Sequence, residues 1–183
     1  MLGPSLCLAF LVWAPRLQAT NSAPRFYEER LHNACAASER HDMAEACGAT
    51  CEAAEILELS AQVDTMLSMW LQESHFKVAA EGDDGHSLGI AQTRLRSLRK
   101  IRALWRARGY KLPAFRGNPR TQAFFGVMEF SRHLHWARGD VFEAVRRYNG
   151  SGLRAAHYAS DVMATRARLF ARPYVPGEKQ AYR

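Results

Sequence analysis

The sequence predicts a mostly α protein (α+β) with one small β element, and three observations carry that expectation. Apolar residues recur at three- and four-residue spacing through most of the chain. Glycine and proline clusters interrupt the periodicity at intervals that suit helices of ordinary length. One stretch, around Gly82 to Ile90, lacks it. There Gly82-Asp83-Asp84-Gly85 reads as a turn within a short β ribbon, because Gly and Asp tolerate the backbone angles a tight turn requires.

The elements follow in order. Pro24 to Glu58 is rich in Ala, Glu and Arg, with Gly48 the only interruption, and predicts one or two helices acting as a cover or extension. Asp64 is the expected N-cap of the next helix, and Met66, Leu67, Trp70 and Leu71 are its apolar stripe. That helix should end shortly after Glu73, leaving the carboxylate at its C-terminal end. Helical spacing resumes after Gln92. Leu95, Leu98, Ile101, Leu104 and Trp105 interleave with Arg94, Arg96, Arg99, Lys100, Arg102, Arg106 and Arg108, and Gly109 is the expected cap. Lys111 to Pro119 reads as a loop. From Thr121, the residues Phe124, Val127, Met128, Phe130, Leu134 and Ala137 form another helical stripe, closing at Gly139. Asp140 caps a short helix through Val141, Ala144, Val145 and Tyr148. Asn149-Gly150-Ser151-Gly152 is a break, and a final helix carries Tyr158, Val162, Ala164 and Leu169 up to Pro173. No internal repeat is present.

The 183 residues suit one domain with short extensions, and an apolar fraction of 48% argues against general disorder. A net charge of +7 favours an anionic partner. The basic residues between Arg94 and Arg108 read as the solvated face of an amphipathic helix. No zinc-finger spacing or RNA-binding signature points to nucleic acid. An apolar run from Leu6 to Ala14, followed by Leu17-Gln18-Ala19, matches a secretory signal over residues 1–19, although no Lys or Arg precedes it. Nine apolar residues are too few to span a bilayer, and no longer run follows, so no transmembrane anchor is expected.

Without that segment the cysteines are Cys35, Cys47 and Cys51. An exported chain could pair two of them, and Cys35 with one of the others is the more plausible staple. His32 and His41 lie nearby, but the Cys and His spacings fit no usual zinc pattern, so neither metal nor cofactor is expected. His75, His86, His133, His135 and His157 form no metal or triad spacing and read as partly exposed polar side chains.

Four blocks in the same chain order bear on chemistry: Glu73-Ser74-His75; Gly82-Asp83-Asp84-Gly85 leading into Gly89-Ile90-Ala91-Gln92; Arg147-Tyr148-Asn149-Gly150; and His157 to Val162. Together they resemble the soluble lytic transglycosylases and goose-type lysozymes, over about residues 56 to 169. The resemblance implies a lysozyme-like fold over residues 52–172, preceded by a helical extension at 20–51 and followed by a tail at 173–183. It implies cleavage of the MurNAc–GlcNAc bond of peptidoglycan, with Glu73 as acid and then base. It also makes Ser74, Gly89, Gln92, Tyr148 and Asn149 substrate-binding residues. In those families the serine reaches the substrate, the glycine lets a sugar approach the backbone, and the glutamine lines the groove. The tyrosine hydrogen-bonds the catalytic glutamate, and the asparagine contacts the sugar.

Three departures from the family pattern affect different claims. Arg147 stands where Ala is usual, which would add a cation able to meet an acidic wall peptide. Ala91 stands where Met is usual, which would loosen the groove wall. Asp83 matches the goose-type turn and is a candidate second carboxylate, but Arg94 stands where those lysozymes tend to carry another Asp. That tilts the expectation from hydrolysis to the transglycosylase route, in which the substrate's own C6 hydroxyl attacks and leaves an anhydro-MurNAc end. A hydrolytic lysozyme and a non-catalytic wall-binding component are the alternatives. The implied partner is the peptidoglycan glycan strand, in the periplasm or outside the cell. Small members of this kind serve envelope-spanning secretion or conjugation machines, or phage particles.

Overall fold

The structure is a computed structural model that describes residues 25–107 and 114–170. The signal-like run at 1–19, the Gly109 cap, Pro173 and the tail at 173–183 lie outside the described residues. Among the described residues, seven α-helices surround one core: α1 (Arg25–Leu31), α2 (Arg40–Ile56), α3 (Val63–Ser74), α4 (Leu95–Ala107), α5 (Pro119–Trp136), α6 (Val141–Asn149) and α7 (Gly152–Phe170). Between α3 and α4 lies a three-stranded antiparallel sheet of β1 (Glu81–Gly82), β2 (Ser87–Leu88) and β3 (Thr93–Arg94). The architecture is therefore mostly α with a small β element. No described helix is long and apolar enough to cross a membrane.

Side-chain caps place the starts of α5 and α6. Asp140 accepts from the Glu143 amide at 2.9 Å and starts α6. Asn118 does the same for α5 through the Thr121 amide at 2.8 Å, with Pro119 in the first turn. The Asn118-Pro119 pair thus starts a helix rather than prolonging a loop, since proline is suited to the first helical position. Asp64 is not the cap of α3. Gln62 occupies that position without a side-chain bond, and Asp64 lies in the first turn, where its charge still complements the helix dipole. The ribbon also gains a third strand, pairing Leu88 with Thr93 and Ser87 with Arg94.

Trp70 lies at the centre of the core, fully buried. Its indole Nε1 donates to Thr50 Oγ1 at 3.0 Å, and that hydroxyl donates to Ala46 O at 2.7 Å, so a polar edge inside the core is satisfied by α2. Gly126 lets α5 approach the ring. A Cβ at that position would lie 2.6 Å from the indole and 2.5 Å from the Ala91 side chain. The α5 helix runs along α2 and α6, α6 along α7, and α7 across α3. Arg120 on α5 meets Glu52 on α2 at 2.6 Å, and Tyr27 of α1 meets Phe170 of α7 edge-on at 5.7 Å between centroids.

The expected division between residues 51 and 52 runs through the middle of α2, whose Met43, Ala46, Cys47 and Ala53 belong to the same core as α3 and α5. The N-terminal helices are part of the domain. Cys35, Cys47 and Cys51 are free thiols, so the expected staple is not formed. His133 is also corrected: it is buried beside Glu129 rather than partly exposed.

Replacing Thr50 by Val keeps the shape and removes the acceptor for the Trp70 N–H. The expected outcome is a loss of about 1–3 kcal/mol, read as a lower urea midpoint at unchanged slope. An unchanged midpoint would show that the bond does not matter to the core.

Candidate active site

Glu73 sits in the last turn of α3, one turn beyond Trp70. After Ser74 the chain reverses through two left-handed residues, His75 at φ 54° and Phe76 at φ 62°. Neither is a glycine, so this turn is strained and must be held by its surroundings. Phe76 supplies the hold, because its ring is fully buried. The reversal leaves Glu73 half-buried, beneath α7.

Tyr158 of α7 donates its hydroxyl to Glu73 Oε1 at 2.6 Å. Burial pushes the carboxyl up from its ordinary 4.5 to about 7. The Tyr158 hydrogen bond opposes that rise, Asp83 adds to it through like charge, and Arg94 opposes it. Because Oε1 accepts from Tyr158, Oε2 is the oxygen left to carry the proton in the acid form. A carboxylic acid poised near 7 beside a charged neighbour is the property that acid–base chemistry needs.

Two of the anticipated substrate contacts are instead packing groups. Ser74 is buried, and its hydroxyl donates to Ile90 O at 2.8 Å, which ties the end of α3 to the ribbon. It does not reach a groove. Gly89, at φ +72°, does not make room for a sugar, because the space above its Cα is filled by Gln122. A Cβ there would lie 2.3 Å from the Gln122 amide. Gln122 is itself buried. It accepts from the Ile90 amide at 2.9 Å and donates to Val78 O and Phe115 O, each at 3.1 Å. One side-chain amide thus satisfies three backbone groups of the segments around the ribbon.

Gln92 is half-buried in left-handed backbone at φ 44°, and its amide donates to Gly89 O at 2.9 Å. It both braces the ribbon and lines a cavity beside the site. Ala91 is fully buried against α5, so it belongs to the core and not to a groove wall. Asp83 is exposed in the β1–β2 turn and accepts from Ser87 Oγ at 2.8 Å.

Tyr148 does not hydrogen-bond Glu73. Its hydroxyl donates to Ala91 O at 2.6 Å, and its ring packs near Trp70 and His133. Asn149, the last residue of α6, accepts from Arg94 Nη2 at 3.4 Å through its backbone oxygen. Its side-chain amide makes no hydrogen bond within the described residues. Reasoning from sequence missed the partner of Glu73 and missed Gln122 altogether. Tyr158 stood in the apolar stripe of α7, where a tyrosine reads as packing. Gln122 sat beside Phe124, where a polar residue on a buried helix face was the available signal.

Because folding raises the pKa of Glu73, ionising it disfavours the native state. That penalty develops as pH rises from about 4.5 to about 7 and is constant above. A carboxyl-resolved NMR titration should therefore place Glu73 near 7. Tyr158→Phe removes a bond that favours the ionised form, so the midpoint should move higher still. Glu73→Gln should gain thermal stability over the parent across that same pH window. A Glu73 midpoint near 4.5 would refute this electrostatic account.

Comparison of the chain with protein-family models, with curated proteins and with solved structures found no match.

Proposed function

We propose that this protein is an exported peptidoglycan lytic transglycosylase. The observation that carries the reading is Glu73: a half-buried carboxylic acid at a helix end, raised to about 7 and gripped on one oxygen by Tyr158. Cleaving a glycosidic bond requires an acid that protonates the leaving oxygen as the sugar gains oxocarbenium character. Glu73 gives its proton to that oxygen. The resulting carboxylate then takes the proton of the sugar's C6 hydroxyl, which attacks C1 and closes the anhydro-MurNAc ring. One protein carboxylate suffices, and Tyr158 steadies its charge between the two steps.

Asn149 supports the reading: its side-chain amide has no hydrogen-bond partner among the described residues, and its backbone oxygen accepts from Arg94. Gln92 and Tyr148 shape the adjoining wall. Ser74 and Gly89 serve by fixing the ribbon against α3 and α5. The substrate is the peptidoglycan strand, and the working place is the periplasm or the cell exterior. A secretion machine or a phage particle is a fitting host. An inverting lysozyme is the second reading, favoured by one observation: Asp83 stands exposed in the β1–β2 turn as a second carboxylate, its charge adding to the rise that burial gives Glu73.

Digestion of purified wall, with products resolved by mass spectrometry, tests both. The expected products carry anhydro ends, and the rate should fall as pH rises above about 7, where the acid form is lost. Glu73→Gln should lower the rate by orders of magnitude while leaving the fold intact. Asp83→Asn should keep substantial activity. Reducing ends, with activity abolished in a folded Asp83→Asn protein, would establish the lysozyme. Near-parental clearing by Glu73→Gln would end both readings.

A further inference from the structure

A cavity of about 440 Å³ lies between the ribbon, α4, α5 and the end of α6. Its wall carries five cations, Arg94, Arg96, Lys100, Arg132 and Arg147, against one carboxylate, Glu129. That carboxylate is already engaged: Arg132 binds it, Ser97 donates to it at 3.3 Å, and His133 lies 3.6 Å away. Burial alone would raise Glu129, but His133 and Arg132 hold it below its ordinary range, so it stays charged and paired. Arg147 is paired outward with Glu143 at 2.6 Å. Arg96 and Lys100, one turn apart on α4, have no ion-pair partner among the described residues.

Two buried polar atoms of the wall, His133 Nδ1 and Arg132 Nε, have no hydrogen-bond partner within the described residues. Buried donors and acceptors of that kind are costly unless something meets them. Trp136 is 53% exposed at the same cavity, with Arg132 4.8 Å above its ring, and offers an apolar platform beside the charges. Tyr148 of this wall donates to Ala91 O, and Ser74, next to Glu73 in the chain, donates to Ile90 O, so one ribbon segment, residues 90–92, links the cavity to the end of α3 that carries Glu73.

We infer that this cavity is a subsite for the carboxylate-bearing peptide carried by a wall strand, held by Arg96 and Lys100 while the glycan lies at Glu73. The inference rests on the wall-cleaving reading and adds to it that peptide-substituted strands are the preferred substrate. Size decides between anions. The volume suits a small-ligand site and takes a short side branch, whereas a nucleic-acid duplex needs an open face. Shape agrees as well, since a branch departing from the bond under attack must leave the active site through a neighbouring opening.

The test uses full-length Glu73→Gln protein, so that binding is read without cleavage, and pelleting assays on two probes. One is insoluble wall with its peptides intact. The other is glycan strands freed of peptides by an amidase and fixed to beads, because without peptide crosslinks the wall no longer pellets. Binding to intact wall should be about tenfold tighter, and the preference should shrink with added salt. Adding Arg96→Ala and Lys100→Ala together should bring the ratio towards one, and Arg96→Lys with Lys100→Arg should restore most of it. Both α4 positions are exposed, so folding is not at stake. Equal binding of the two walls, or loss of affinity by the same factor on both, would overturn the subsite. So would tight binding of a DNA oligonucleotide that the double variant abolishes while the walls are not distinguished. If the parent protein cleaves both walls to anhydro ends equally well, the subsite falls and the proposed function stands. If it neither binds nor cleaves either wall, both fall.

Discussion

Burial of the Trp70 indole is the constraint on which the rest of this molecule depends. A ring of that size fits one rotation of α3 only, because Gly126 on α5 clears its face and Thr50 on α2 receives its N–H. Positions three apart on a helix lie one above the other, so fixing Trp70 also fixes the direction in which Glu73 leaves the helix. The same packing brings Ala91 against α5, which places the carbonyl that Tyr148 uses. The direction of the Glu73 carboxyl and the anchor of the Tyr148 hydroxyl thus descend from one buried side chain. Site geometry here is a by-product of core geometry, as close-packed interiors that transmit displacement would require.

The ribbon is the second half of that arrangement. Strands of two residues cannot hold themselves together, since an isolated pair of short strands is marginal in water. Side chains do the work instead. Ser74, Gln92 and Gln122 each bond to its backbone, and Gln122 alone ties Ile90 to Val78 and Phe115. Left-handed backbone at Asp83, Asp84 and Gln92 is tolerated because these contacts outweigh local strain. Polar groups that resemble substrate contacts in a linear reading are, in three dimensions, the scaffold of the loop itself.

The helices were legible because their signals are local. Apolar spacing located the bodies of α3, α5, α6 and α7, and Asp140 announced its cap. Glu73 could be singled out because it follows an apolar helix and heads an ordered set of blocks. What escaped were relations between distant parts of the chain. Nothing near Tyr158 in sequence says that its hydroxyl will meet a carboxyl 85 positions earlier. Nothing around Gly89 says that a glutamine of α5 will occupy the space a side chain would need. Ser74 and Ala91 were misjudged for the same reason: whether a small residue faces a groove or a neighbouring helix depends on the packing partner. The third strand was hidden by its brevity, since two residues show no alternation.

Cys35, Cys47 and Cys51 bear on where such a protein can persist. A disulfide is attacked by a thiolate and not by a thiol, so reactivity follows the fraction ionised. Burial pushes Cys35 up to about 11, Cys51 up to about 12 and Cys47 well above its ordinary value. At neutral pH the reactive fraction of each is far smaller than that of an exposed cysteine. In an oxidising medium these sulfurs would exchange slowly, and the reduced form would be preserved by kinetics while the fold lasts. Unfolding would release all three at once to ordinary reactivity. A brief excursion from the native state could then be made permanent by a crosslink that the native packing does not contain.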